Sequence, residues 1–364
     1  MHRTDVARLF DTTGPFVSVY LDTAGDVEQA AGRVALRWKN LRGELLGAGA
    51  PEKTVAAIDP LVEGAQAAGG TLVVVAAADG VLYEGSFPDP PARDAVVRQG
   101  PLPYVLPLLA WRQRLVPYVA VLTDRTGADI AARMAGGPER AEHVEGRTPP
   151  HIHKPNAGGW SQPRYQRRSE LLWESNAGEV AEALTGIVDQ TRPRFVAAAG
   201  DVRALQLLRD HAPKRVVELL EVVGGEYPSM AAVDERAAKL VAATVERDTA
   251  AVLARFAGER GQGGRAAEGA AATVEALARG QVETLLVTDD PDDRRTAWFG
   301  GAPNQLGLDA EAVRAMGEGA PAQAGLGEVA VRAALGTGAS VRVLDRGQPG
   351  APGEGLGAIL RFAG

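Results

Sequence analysis

Between Arg147 and Arg168 the chain runs Arg-Thr-Pro-Pro-His-Ile-His-Lys-Pro-Asn-Ala-Gly-Gly-Trp-Ser-Gln-Pro-Arg-Tyr-Gln-Arg-Arg. Pro149, Pro150, Pro155 and Pro163 lack the backbone N–H that helices and ladders use, and Gly158-Gly159 admits backbone shapes closed to other residues. The stretch reads as a long loop, so regular structure must be built before and after it. It carries five Lys or Arg and no Asp or Glu, in a 364-residue chain of formal net charge -7. A basic loop on an acidic protein is expected to meet a polyanion through a local patch.

On both sides of the loop the pattern is α/β, with room for three units. The first, 1–100, combines an alternating strand at 16–21 with a helix at 31–46 (Val34, Leu36, Trp38, Leu41, Leu45) and a second helix at 53–67. A hairpin follows, strands 71–76 and 81–87 across Ala-Asp-Gly. The second, 101–232, has a short helix at 104–109, a strand at 117–122, its hairpin mate at 127–131, and the basic loop. In the helix expected at 169–189, Trp173, Ala177, Val180, Leu184 and Ile187 step by 4, 3, 4 and 3 along one apolar face. Strand 194–199, helix 202–211 and strand 216–223 close this unit. The third, 233–364, opens with a helix at 234–256, is broken at Gly261-Gln-Gly-Gly264, and resumes with a helix at 265–278. Strand 282–288, helices near 309–317 and 324–335, and strands 339–344 and 356–362 complete it, with helices covering both faces of a sheet.

The absence of cysteine excludes disulfides, thiolate catalysis and Cys-ligated zinc, and points to a cytoplasmic home. No apolar run is long enough for a signal peptide or a transmembrane helix, so no membrane partner is expected. A pI near 5.4 argues against nucleic-acid binding over the whole surface.

The end of the loop carries a resemblance. Gly158, Gly159, Ser161, Arg164, Tyr165 and Arg167 follow in order the pattern of the GGQ loop of archaeal and eukaryotic class-1 release factors, with Trp160 where that family has its catalytic Gln. Gly159 to Gln162 also reads as the G-x-x-Q of the Vms-type relatives that cleave peptidyl-tRNA. Residues 267–290 resemble the opening of the C-terminal domain of release factors and Pelota, and Gly355-Leu-Gly-Ala-Ile-Leu-Arg-Phe362 resembles its final strand. The arrangement resembles the bacterial archaeo-eukaryotic release-factor-like family. The resemblance implies a three-domain, tRNA-mimicking architecture with a kink-turn-binding-protein-like C-terminal domain and a middle domain presenting the loop. The first 100 residues lack the NIKS and YxCxxxF stop-codon motifs, and Gly47-Ala-Gly-Ala-Pro-Glu-Lys53 stands there instead. Stop-codon reading is not expected.

By that resemblance the partner is the ribosome: its rRNA, its A site and its peptidyl-transferase centre. Peptidyl-tRNA and a translational GTPase, elongation factor Tu, are further implied partners. Arg147, Lys154, Arg164, Arg167 and Arg168 would meet phosphates, which carry no base preference. Trp160 and Tyr165 would stack on unpaired bases, although Trp160 also reads as a peg that closes the loop. Gln162 is the candidate catalytic residue beside Gly158 and Gly159. A Gln amide is neither acid nor base, so it would orient a water or hydrogen-bond a reacting oxygen. Two functions stay open: a non-catalytic occupant of idle ribosomes (hibernation), and a rescue enzyme that cuts peptidyl-tRNA.

His151 and His153 lack a clear third ligand, although Glu142, His143 and Glu145 are near in sequence. They read as an RNA-facing polar pair, and neither a metal nor a cofactor is expected. Asp289-Asp-Pro-Asp-Asp293 reads as a solvated turn. Ser175, Ser229 and Ser340 stand in no nucleophile-elbow context.

Overall fold

The computed structural model describes residues 6–23, 27–65, 70–87, 95–134, 140–146, 162–224 and 229–362, and for 27–31, 162–169 and 262–263 the backbone alone. The chain divides into two compact units, Met1–Trp111 with Thr249–Gly364, and Arg112–Asp248.

The N-terminal part of the first unit holds β1 (Phe16–Asp22), α1 (Val27–Gly47), α2 (Glu52–Ala56), α3 (Asp59–Ala65), β2 (Thr71–Ala77), β3 (Gly80–Phe87), β4 (Ala95–Gly100) and α4 (Leu106–Arg112). The expected second helix is split in two. Pro60 has no N–H to give, and it sits at the start of α3, where none is needed. The four strands form an antiparallel sheet in the order β3-β2-β1-β4. β1 is buried on both faces rather than alternating. Val17, Val19 and Leu21 face a core shared with α1, α2 and α3. Phe16 and Tyr20 face another core, shared with residues from the chain's last hundred. Polar groups on this second face are bonded: Ser18 Oγ accepts the Tyr104 N–H at 3.0 Å, and the Tyr20 hydroxyl donates to the Tyr104 carbonyl at 2.7 Å.

The second unit contains β5 (Tyr118–Thr123), β6 (Gly127–Arg133), β7 (Arg140–Glu145), α5 (Gln162–Thr191), β8 (Phe195–Gly200), α6 (Val202–His211), α7 (Lys214–Val217) and β9 (Leu220–Val222). Its sheet runs β7-β6-β5-β8-β9; β5, β8 and β9 are parallel, β6 and β7 antiparallel. α5 and α6 pack on one face through Val180, Leu184, Ile187 and Leu208. The start of α8 (Met230–Gly258) packs on the other, through Val233 and Ala237. The strand expected at 216–223 is shorter, because 214–217 turns as α7.

The C-terminal part of the first unit contains β10 (Ala266–Glu268), α9 (Ala270–Ala278), β11 (Val282–Thr288), β12 (Thr296–Phe299), β13 (Leu306–Gly307), α10 (Ala310–Ala315), β14 (Ala322–Gly325), α11 (Leu326–Gly336), β15 (Ser340–Leu344) and β16 (Leu356–Leu360). Its main sheet is β10-β16-β11-β15, beside a small β13-β12-β14 sheet. The helix expected from 265 is corrected to a strand plus a shorter helix, since Gly264 and Gly269 adopt φ of +63° and +80°. β16, the strand singled out by resemblance, is buried along its whole length. Gly357 suits it: a Cβ there would come within 2.7 Å of the Pro352 ring. The Asp289–Asp293 turn is tied down by ion pairs, Arg346 with Asp290 and Asp292 and Arg295 with Asp293, and Asp289 accepts the Tyr104 hydroxyl at 2.7 Å.

Glu328, in the first turn of α11, is nearly buried, with the Arg98 guanidinium 3.9 Å away. Burial pushes its carboxyl up to about 7, and Arg98 and the Gly325 amide only partly oppose this. A carboxyl raised on folding stabilises fully below its unfolded value of 4.5, and that contribution is lost as pH rises through about 7. The difference is on the order of 3 kcal/mol. Glu328→Gln is therefore expected to flatten the fall in urea stability between pH 5 and pH 8. An unchanged pH profile would contradict the burial of this carboxylate.

Candidate nucleic-acid interface

The basic segment leaves β7 at Gly146 and re-enters described structure at Gln162, the first residue of α5. Arg147, His151, His153, Lys154, Gly158, Gly159 and Trp160 lie outside the described residues. Gln162, Arg164, Tyr165, Arg167 and Arg168 do not belong to a loop, as the sequence suggested, but to the first two turns of α5. Pro163 misled that reading. A proline at the head of a helix breaks nothing, because the first amides of a helix have no internal acceptor.

α5 has 30 residues, about 45 Å of helix. No side chain of residues 170–175 is buried, and Leu171 is 66% exposed. Among the described side chains of α5, Asn176 is the first buried one, followed by Ala177, Val180 and Leu184, the face expected from spacing. From Gln162 to Asn176 is about 21 Å along the axis.

A clamp sits where burial begins. Asn176, only 2% exposed, donates through Nδ2 to the Arg125 carbonyl at 3.0 Å. Gly146 N–H donates to the Thr126 carbonyl at 2.6 Å. The turn itself is closed by Asp124, whose Oδ1 accepts the amides of Thr126 and Gly127 at 2.7 and 3.0 Å. Only glycine fits here: a Cβ on Gly146 would stand 2.5 Å from Asn176 Cγ and from the Thr126 carbonyl, and one on Gly127 would stand 2.0 Å from the Val144 carbonyl. The residue that follows β7 and the helix that carries the chain back are thus held by the same 124–127 turn.

Arg125 extends this anchor. Its guanidinium lies over the Trp173 ring, 4.6 Å from the centroid, and pairs with Asp201 at 3.2 Å. Asp201 also caps α6 by accepting the amides of Arg203 and Ala204. Partial burial raises the Asp201 carboxyl, but the Arg125 bond and those amides outweigh it and hold the group below the ordinary carboxylate range.

An open cleft of about 1180 Å³ lies beside the clamp, at the carboxyl ends of β5, β8 and β9 where the strand order changes direction. Val202, 80% exposed, stands on its lining. Three of its five carboxylates have partners: Asp129 holds His143 at 2.7 Å, which raises the His143 imidazole, and Asp124 and Asp201 are engaged as above, while Glu145 and Asp210 also line it. The geometry suits holding and presenting a ligand. Among the described residues no group of three or more His, Asp or Glu gathers to hold a metal. No helix of the described residues is long and apolar enough to cross a membrane.

A sequence profile described as Bacterial archaeo-eukaryotic release factor family 2 matches residues 117–262. The uncharacterized protein Rv2629 of Mycobacterium tuberculosis H37Rv is 31% identical over 360 residues, covering 96% of this chain and 94% of that protein. The chain belongs to the bacterial archaeo-eukaryotic release-factor-like family. Among solved structures, the archaeal translation termination factor aRF1 is 18% identical, with 96% of this chain and 93% of that chain covered and a TM-score of 0.27. Saccharomyces cerevisiae Dom34 is 10% identical with 78% and 74% covered and a TM-score of 0.40. Archaeoglobus fulgidus Pelota is 14% identical with 80% and 79% covered and a TM-score of 0.37.

The family profile starts at β5 and ends just past α8, so it takes in the clamp, the start of α5 and the cleft. The sequence reading missed Asn176, Gly146 and Arg125. One signal was present: Asn176 is polar beside Ala177, at the point where the apolar stripe of α5 becomes continuous.

Proposed function

We propose that this family member is a ribosome-associated translation factor of the cytoplasm that occupies the A site of idle ribosomes as a hibernation or protection factor. Three domains, 1–100, 101–232 and 233–364, would play the part of a tRNA, the middle one offering residues 147–161 to the peptidyl-transferase centre. The C-terminal domain would dock to elongation factor Tu. The observation that supports this reading is α5: a helix of about 45 Å that starts where the basic segment ends, and whose Asn176 is bonded to the same 124–127 turn that holds Gly146, where the basic segment departs. A long helix anchored at Asn176 and opening with basic residues suits insertion into rRNA.

Occupancy is favoured over catalysis by Trp160, which stands at the family position of the catalytic Gln, and by the absence of stop-codon motifs. The second reading, a rescue enzyme that cuts peptidyl-tRNA, rests on the Gly159 to Gln162 spacing. Gln162 has its backbone in α5 rather than in the freedom of paired glycines, which favours contact over catalysis. The deciding experiment supplies ribosomes carrying labelled peptidyl-tRNA in the P site to the parent and to Gln162→Ala. Stable A-site binding with the peptidyl-tRNA intact for both proteins is expected. Release of peptide by the parent and not by the variant would replace occupancy with the rescue reading.

A further inference from the structure

β4 is the last strand of the N-terminal sheet. It pairs with β1 on one side, Val97 opposite Val19 and Gln99 opposite Val17, and no described strand pairs with its other side. Alternate residues of Ala95–Gly100 therefore turn a backbone N–H and C=O away from the sheet. All six residues are half-exposed.

This edge is recessed. It lines a groove of about 480 Å³ together with Leu41 and Glu44 of α1 and Pro291 and Arg294 of the turn after β11. α1 packs on the sheet face that carries Val17, Val19 and Val97. The turn lies on the opposite face, where Arg98 donates to the Pro291 carbonyl at 3.3 Å. A single extended segment, needing to approach to about 5 Å, passes between the walls.

The groove also has unmet chemistry. Gln99 Oε1 is buried without a hydrogen-bond partner, on the α1 side by its register with Val97. Arg294 on the far wall is exposed and makes no ion pair among the described residues. Glu44 stands on the near wall. An occupant with alternating backbone donors and acceptors at the strand repeat is a polypeptide, since a phosphate backbone offers acceptors almost alone.

We propose that β4 is a docking edge for an extended segment of a partner polypeptide, which adds a fifth strand to this sheet. Its side chains alternate, an acidic residue toward Arg294 and a donor-bearing residue toward Glu44 and Gln99. The inference does not depend on the ribosomal reading.

The test pans a displayed library of random decapeptides on the full chain and resynthesises the enriched sequences. They are expected to show that alternation, and to slow hydrogen exchange at the β4 amides. N-methylation of alternate peptide amides is expected to weaken binding by about tenfold or more, because the ladder is lost. Arg294→Glu, on an exposed side chain, should weaken the acidic peptides by a similar factor and favour Lys at the same place. Three results overturn the proposal: no enrichment, exchange protection that maps elsewhere, or full affinity of the N-methylated peptides. Concentration-dependent dimerisation with protected β4 amides would also overturn it, by assigning the edge to a second copy.

Discussion

Changing Arg164, Arg167 and Arg168 together to Glu is expected to reduce ribosome binding by about a hundredfold or more and to lower its salt dependence. These residues occupy positions i, i+3 and i+4 of α5, so they share one helix face and can address neighbouring phosphates together. Each phosphate contact releases counterions, and three lost contacts reduce the slope of log K against log salt by about 2. Circular dichroism and urea unfolding of the variant beside the parent separate a loss of binding from a loss of fold. Co-sedimentation of variant and parent across a potassium series measures both quantities. Parallel salt curves with equal affinity would remove the basic start of α5 from the interface. The Lys version of the same three positions should keep most of the binding, because phosphates are met chiefly through charge.

Gly200→Ala is expected to cost about 3 to 5 kcal/mol of stability. Gly200 ends β8 with φ of +133°, where residues with a side chain are strained. A Cβ there would stand 1.8 Å from the Thr123 carbonyl, the acceptor of the Asp201 amide at 3.1 Å. β5 would have to move away from β8, opening the strand ends that carry the Asp124 turn and the Asp201 cap. Gly186→Ala is the control. It lies within α5, where a methyl group would meet no atom within 4 Å beyond the helix's own backbone. Exchange to Ala there should be neutral or stabilising by up to about 1 kcal/mol. Urea unfolding of the two variants beside the parent reads both effects. A Gly200→Ala midpoint equal to the parent's would contradict the close approach of the two strands.

Much of the fold was legible because its signals are local. Helix 202–211 was bounded by its turn, Gly200-Asp201, and Asp201 does cap it. The stripe Ala177, Val180, Leu184 and Ile187 foretold the buried face of α5. β4, β7 and the β13-β12-β14 sheet were not legible. β4 and β7 are half-exposed or exposed edge strands of few β-branched residues, and β13 is two residues long. Short edges acquire their conformation from a neighbour's ladder, which no local window contains.

The sequence by itself determined the α/β alternation, the basic segment and its family likeness, since these depend on residue type, spacing and order. Only the tertiary structure decided that Arg164 to Arg168 begin a helix and that Asn176, Gly146 and the 124–127 turn lock together. It alone brought the Ser18 and Tyr20 face of β1 against residues from the chain's last hundred. The physical reason is range: a helix stripe or a capping Asp is set within a few residues, whereas these contacts join segments tens to hundreds of residues apart. Their close approach depends on packing that forms only when the sheets assemble.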